Sequence, residues 1–224
     1  MSDPNLFNYS WSIKDSFPMY LAEFIGSMII CITYGIVTLP IYPNNNIDIN
    51  LYIAPISVGF IVVAMVYAFG HISGAHFNPA ITLAVYIRGF IYKYDAIIFI
   101  ISQILGSLVG AFLTYFITLQ WPILKPGNNI KTGQIFMSEL LYTFCICIVE
   151  INVATTLTQK GNSFYGIAIG LTVSTGIASV KHISGACFNP GIGIALSLTN
   201  VINGDTIKYI WLYCLSPLLG GIFG

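Results

Sequence analysis

Charged side chains are scarce in this chain of 224 residues. Only 7% of the residues are Asp, Glu, Lys or Arg, whereas 56% are hydrophobic. A water-soluble domain of this size needs far more charge to cover its surface, so the composition excludes a soluble fold and predicts a protein that lies in lipid. Basic and acidic residues both number 8, and the absence of a basic excess argues against nucleic acid as a partner.

The sequence also lacks a group of residues that could perform catalysis or hold a metal. Cys145 and Cys147 lie two positions apart in a predicted helix and therefore point to different faces, which does not suit a metal or redox pair. No nucleophile, general base and metal ligands come together elsewhere in the sequence. We therefore predict that the protein is not an enzyme and has no catalytic residues, no cofactor and no metal site.

Long apolar runs are what the chain has in quantity. A transmembrane helix needs about 20 apolar residues, and six runs meet or approach that length: 19–41, 51–69, 95–118, 134–156, 164–180 and 206–224. Two further apolar pieces, 78–86 and 189–198, are about half as long and begin with Asn-Pro. The predicted fold is an all-α membrane protein with six transmembrane helices and two re-entrant half-helices, formed as a single domain over residues 1–224.

An internal repeat relates the two halves, which extend over about 19–118 and 134–224. The segment HISGAHFNPAITLAV, from His71, matches HISGACFNPGIGIAL, from His182, at ten of fifteen positions. Each copy follows two predicted spans and precedes a third, so the halves have opposite orientations in the membrane. This arrangement is an inverted repeat.

The Asn-Pro pairs suit the beginning of a helix. Asn caps a free backbone N–H, and Pro fits the first helical turn; Asn78-Pro79-Ala80 and Asn189-Pro190-Gly191 are therefore predicted helix starts. In an inverted repeat the two half-helices enter from opposite faces, and their positive N-terminal ends meet near the midplane. Broken helices are tolerated in a membrane where they line a cavity or are buried in protein, so a pore is predicted.

These motifs resemble the two signatures of the aquaporins and aquaglyceroporins. The segments AEFIG, SQILGSLVGA and SPLLGG also resemble their counterparts there, so the likeness covers almost the whole chain. The resemblance implies a cytoplasmic N-terminus and a homotetramer with one pore per subunit. It also implies that Glu23 and Glu139 are buried and hold the backbone of the two re-entrant loops.

The narrowest part of the pore is where the sequence departs from the family. The resemblance assigns the four selectivity positions to Val58, Ile177, Ala186 and Ile192. Nearly all members have Arg where this chain has Ile192, and glycerol channels have Asp where it has Gly193. We therefore expect a constriction of four apolar side chains with no hydrogen-bond donor.

Three further residues are candidates for lining or gating the pore. His76 precedes Asn78 by two residues and is predicted either to line the pore or to bond to the loop backbone. Cys187 lies beside Ala186, where a mercurial could reach it. Glu150 follows Glu139 by eleven residues, about three helical turns, and is predicted either to face the pore as a titrating gate or to reach the interface from the helix end.

The leading hypothesis is a passive channel for water or small uncharged solutes such as glycerol, urea, ammonia and hydrogen peroxide. One alternative is a secondary transporter, since transporters also have inverted repeats and broken helices. Another is a non-conducting structural membrane protein that keeps the fold. In each case the sequence predicts an integral, multi-pass membrane protein whose partners are lipid, small neutral solutes and copies of itself.

Overall fold

A computed structural model describes residues 13–39, 50–202 and 207–224, and all regular structure within them is helical. Eight α-helices occur in these ranges: α1 (Ile13–Thr38), α2 (Asn50–Ser73), α3 (Pro79–Ile87), α4 (Lys93–Thr118), α5 (Thr132–Thr155), α6 (Tyr165–Ser184), α7 (Pro190–Ile202) and α8 (Ile210–Phe223). A single 3-10 turn, Leu157–Gln159, lies between α5 and α6. The predicted all-α class is confirmed.

Within the described residues, five helices are long and apolar enough to cross a membrane, namely α1, α2, α4, α5 and α6. The run 206–224 predicted a sixth, but residue 206 lies outside the described residues and α8 begins only at Ile210. Helix α8 has 14 residues, or about 21 Å at 1.5 Å per residue. It is therefore shorter than the hydrocarbon core of about 30 Å, although it occupies the place of the sixth crossing.

The packing of the helices repeats between the halves. Helix α1 packs against α2 and α4, and in the same way α5 packs against α6 and α8. The half-helix α3 packs against α8, while α7 packs against α4, so each half-helix rests on the last helix of the opposite half. Contacts between α2 and α6 join the halves directly. The repeat relates α1, α2, α3 and α4 to α5, α6, α7 and α8. Each contact within one half therefore has a counterpart in the other half, and the contact of α3 with α8 corresponds to that of α7 with α4, as expected for the inverted repeat.

Glycine lets the outer helices approach closely at matching places. A Cβ added at Gly106 of α4 would overlap the carbonyl oxygen of Phe24 in α1. In the second half, a Cβ added at Gly220 of α8 would lie 2.6 Å from the carbonyl oxygen of Leu140 in α5. The absence of a side chain at these glycines therefore permits close packing of the helices.

The outer surface of the helix bundle carries large apolar side chains. Tyr52, Phe60 and Phe116 are 69%, 61% and 73% exposed, respectively. By contrast, buried polar side chains gather around the two Asn-Pro motifs inside, where Glu23 and Glu139 are fully buried. This distribution of polar groups is the one that a lipid environment requires.

Candidate functional site

Two short loops precede the half-helices, and they have the same unusual backbone. We call residues 74–78 the first loop and residues 185–189 the second loop. Positive φ angles occur at the same places in both: Gly74 (86°), Ala75 (58°) and Phe77 (52°), then Gly185 (91°), Ala186 (57°) and Phe188 (54°). A side chain at such an angle costs roughly 1 kcal/mol or more, so each loop needs support from the helices around it.

Glu23 of α1 supports the first loop. Its Oε1 accepts hydrogen bonds from the Ser73 hydroxyl at 2.7 Å and the backbone N–H of His76 at 3.0 Å. Its Oε2 accepts from the backbone N–H of Phe77 and from Nε2 of Gln103, both at 2.7 Å. The fully buried carboxylate is thus surrounded by donors, which is what burial of a charged group requires.

Glu139 of α5 has the matching position below the second loop. Its Oε1 accepts from the backbone N–H of Cys187 at 3.1 Å, and its Oε2 accepts from that of Phe188 at 2.7 Å. The hydroxyl of Ser184 also bonds to this carboxylate. The two acids named from the sequence therefore contact the loop backbones for which they were proposed.

The two Asn side chains meet between the loops. Oδ1 of Asn78 accepts from the backbone N–H of Ala80 at 2.9 Å and so caps α3. Oδ1 of Asn189 accepts from that of Gly191 at 2.9 Å, at the start of α7. Each Oδ1 thus caps the half-helix that follows it, and the two half-helices begin in the same way.

The side-chain Nδ2 atoms of the two Asn residues donate hydrogen bonds from each half of the repeat to the other. Nδ2 of Asn78 donates to the carbonyl oxygen of Phe188, and Nδ2 of Asn189 donates to that of Phe77, both at 2.9 Å. Since a carboxamide has two N–H bonds, one on each Asn fastens the opposite loop and the other remains for a molecule beside the pair. The pair thus offers two fixed donors.

A narrow, mostly apolar cavity passes beside the Asn pair. About 50 Å³ of it is open to the centres of water molecules. Since one water needs roughly 10–15 Å³ by this measure, the cavity has room for a short file of waters. The polar or sulfur-bearing side chains that line it are Tyr34, His76, Asn78, Glu150, Cys187 and Asn189.

Three of the four predicted selectivity residues line this cavity: Val58, Ile177 and Ile192. Ala186 is only 1% exposed and is not among the lining residues, although Ala75, which has the same positive φ in the first loop, does line the cavity. Ile81, which occupies the position in the first motif that corresponds to Ile192, also lines the cavity. The wall is therefore largely aliphatic.

Tyr34 is a lining residue that the sequence analysis missed. Its hydroxyl donates to the carbonyl oxygen of Gly185 at 2.5 Å. The proton is thereby used, while the phenolic oxygen can still accept from a molecule in the cavity. The wall of the cavity, where the four predicted selectivity residues offered no hydrogen-bonding group, therefore includes this acceptor. A signal was present in the sequence, because Tyr34 follows Glu23 by the same eleven residues that separate Glu150 from Glu139.

The three candidates for lining or gating all face the same cavity. His76 lines it with Nδ1 at 3.1 Å from Oγ1 of Thr82. The Cys187 sulfur lies 3.2 Å from the carbonyl oxygen of Asn189, to which it donates. Glu150 lines it as well and is 2% exposed. The gating role of Glu150 stays a prediction.

A wider opening adjoins the cavity on the side of Glu150. It offers about 500 Å³ to water-sized molecules and is lined by residues of α2, α5, α6 and the segment that joins α5 to α6. Val66 and Ile169 line both this opening and the narrow cavity. The narrow cavity and the wider opening are therefore adjacent at these two residues.

Known proteins resemble this chain along most of its length. The chain is 34% identical over 210 residues to glycerol uptake facilitator protein-like 6 of Lactiplantibacillus plantarum, with 91% of this chain and 93% of the relative covered. It is 28% identical to aquaporin A of Dictyostelium discoideum, with 99% and 82% covered. Among solved structures, the aquaglyceroporin from Plasmodium falciparum has the same fold, with a TM-score of 0.77, 18% identity, and 92% of this chain and 93% of that chain covered.

The family assignment rests on nearly the whole chain. The family model of the major intrinsic proteins matches residues 10–224, a range that includes both Asn-Pro motifs and both loop-supporting carboxylates. On this match, together with the relative at 34% identity, the chain belongs to the major intrinsic protein family.

Proposed function

We propose that the chain is a passive membrane channel that conducts water and small uncharged solutes through the cavity between the two loops. The observation that carries this proposal is the crossed pair of Asn78 and Asn189, which caps two half-helices and leaves two donors beside a narrow cavity. Rows of fixed donors in an otherwise apolar passage are how such pores pass neutral molecules. The protein is an integral, multi-pass membrane protein, as this function needs.

The aliphatic wall favours weakly hydrated neutral solutes over water. Val58, Ile177 and Ile192 cannot replace the hydrogen bonds that a water molecule gives up on entry. A solute that is partly apolar gives up fewer, so glycerol, urea, ammonia or hydrogen peroxide should gain relative to water. The acceptor that Tyr34 adds serves water and these solutes alike, because all of them carry O–H or N–H groups.

Ions should be excluded by the same features. The N-terminal ends of α3 and α7 carry positive partial charge and meet at the Asn pair, where they repel cations. The apolar wall imposes a large desolvation cost on any ion. This exclusion does not need the Arg that other members have in place of Ile192.

Stopped-flow light scattering on proteoliposomes tests the proposal. Vesicles that contain the protein should swell or shrink faster than empty vesicles in gradients of urea or glycerol, and the ratio of solute to water permeability should exceed that of a water-specific family member. The matched control replaces Leu141, which is 48% exposed on α5, with Ala and should leave both permeabilities unchanged. Fast water flux with rejection of every larger solute would overturn the solute preference.

The same experiment separates the channel from its alternatives. A non-conducting structural protein would give vesicles that behave like empty ones for every solute. A secondary transporter would show flux that depends on an ion gradient, whereas a passive channel conducts equally with and without one.

We also propose a homotetramer with one pore per subunit. The support for it is the family membership together with the large apolar side chains on the outside of the bundle, some of which would face neighbouring copies and the rest lipid. Light scattering of the purified protein in detergent should give a protein mass of four chains. A mass of one chain would contradict the assembly without affecting the pore.

A further inference from the structure

Glu150 carries a buried polar atom that the channel scaffold does not use. It lies on α5, lines the narrow cavity and is 2% exposed. Its Oε2 has no hydrogen-bond partner. Leaving such an atom without a partner costs roughly 1–3 kcal/mol, and more for a charged group. This oxygen is almost closed to water-sized molecules, so a visiting molecule can supply the hydrogen bond only when the carboxyl group turns toward the cavity that Glu150 lines.

The inverted repeat shows how unusual this atom is. Tyr34 follows Glu23 as Glu150 follows Glu139, eleven residues later on the same helix. Both side chains line the cavity, but the Tyr34 hydroxyl is fastened to the carbonyl oxygen of Gly185. The first half has thus satisfied the polar group at this position within the protein, and the second half has left one open.

His76 provides a donor in the same cavity. Oγ1 of Thr82 accepts from Nε2 of Gln103 at 2.8 Å and lies 3.1 Å from Nδ1 of His76. Since the Gln103 amide donates to Thr82, the threonine hydroxyl is free to donate its own proton to Nδ1. The neutral imidazole then carries its proton on Nε2, and His76 offers an N–H to the cavity that it lines.

We propose that Glu150 and His76 form a binding station for small neutral amides of the urea class. The carboxyl oxygen accepts an N–H of the solute, as it can in either protonation state, while Nε2–H of His76 donates to the solute carbonyl oxygen. This inference rests on the proposed channel function and names the solute class that the pore selects.

Urea suits such a station better than glycerol or water does. Its carbonyl oxygen and N–H groups lie in one rigid plane, so a donor and an acceptor on the wall can be satisfied together without loss of internal rotation. Glycerol must fix several rotatable bonds to present its hydroxyls in the same way, which costs conformational entropy. The narrow cavity, with about 50 Å³ for water centres, also favours the flat molecule.

The test compares Glu150→Leu and Glu150→Gln with the unchanged protein in proteoliposomes. Urea, glycerol and water permeabilities are measured by stopped flow on the same vesicles. Glu150→Leu removes the acceptor, so urea permeability should fall about fivefold relative to water, the equivalent of one hydrogen bond. Glu150→Gln keeps an acceptor oxygen and should stay within about twofold. The control Ile148→Leu changes a residue of α5 that is 36% exposed and should change nothing.

Each other outcome contradicts a different part of the inference. An unchanged urea-to-water ratio in Glu150→Leu would overturn the station but leave the channel standing. An equal loss of all three permeabilities would assign Glu150 a merely structural role. A loss for glycerol as large as that for urea, or a cation flux that requires Glu150, would overturn the amide class. If the unchanged protein conducts nothing, the channel and the station fall together.

Discussion

The first and second loops have the same backbone but are held by different means. Beneath the first loop, Gln103 of α4 donates to both Glu23 and Thr82. The repeat aligns SQILG with SPLLG, so the second half has Pro217 where the first has Gln103. Among the described residues, no side-chain amide donates to Glu139.

The second loop obtains its additional support from two tyrosine hydroxyls. Tyr34 of α1 donates to the carbonyl oxygen of Gly185, and Tyr213 of α8 donates to that of Ser184, both at 2.5 Å. A strained loop can therefore be stabilised either through extra donors on its carboxylate or through donors on its own carbonyl groups. The tyrosine donors place one phenol, that of Tyr34, in the wall of the pore.

The largest effect should come from removing the carboxylates. Glu23→Ala leaves four buried donors without an acceptor and Glu139→Ala leaves three. At roughly 1–3 kcal/mol for each, both variants should lose at least about 3 kcal/mol, with Glu23→Ala the less stable. Thermal unfolding in detergent measures this, with Leu141→Ala as the control. If Glu139→Ala proved the less stable, the support of the two loops would have been ranked wrongly.

A mercurial should block the pore by binding a thiol that the second loop carries and the first loop lacks. Cys187 lines the cavity, and its counterpart in the repeat is His76. A mercurial bound to Cys187 would fill a passage only wide enough for a file of waters, so most of the flux should be lost. Cys187→Ser should conduct and resist the reagent, whereas the swap Cys187→Ser with His76→Cys should restore the block. Block that persists in Cys187→Ser would show that another thiol is responsible.

Replacing the two repeat-related isoleucines should affect conduction in different ways. Ile192→Arg narrows the pore beside the second loop and supplies donors that replace water's lost hydrogen bonds, so the solute-to-water permeability ratio should fall about tenfold, the effect of one or two bonds. Ile81→Arg puts the same charge beside the first loop and should lower both permeabilities without this shift. Ile192→Leu is the size control. An unchanged ratio in Ile192→Arg would place the constriction elsewhere.

The sequence predicted the elements that obey simple rules. Length and hydropathy predicted the spans, and the duplicated Asn-Pro motifs predicted the half-helices, because capping and helix starts depend on local sequence. The last helix was less predictable: the run from 206 was predicted as a span, yet α8 begins only at Ile210. Helix boundaries depend on packing as well as on composition.

The site was predictable where position in the repeat determines the role. Spacing from Asn189 led to Ile192 and Cys187, and both line the cavity. Ala186 followed from the same count but does not line the cavity, and its φ angle does not account for this, because Ala75 has nearly the same φ and lines the cavity. Tyr34 and Gln103 were missed because their partners are 151 and 80 positions away.

The smallest effect should separate Tyr34 from Glu150, the two residues at matching positions of the repeat. Tyr34→Phe removes the donor that holds the carbonyl oxygen of Gly185, so stability should fall by about 1 kcal/mol, the usual worth of one hydrogen bond. Glu150→Leu removes an acid whose Oε2 has no partner, so stability should stay the same or rise. Thermal unfolding of both variants in the same detergent decides the matter, with Ile148→Leu as the reference. A Tyr34→Phe protein as stable as the reference would mean that the hydroxyl serves the solute rather than the loop. A Glu150→Leu protein that unfolds earlier would mean that the acid already has a partner within the protein.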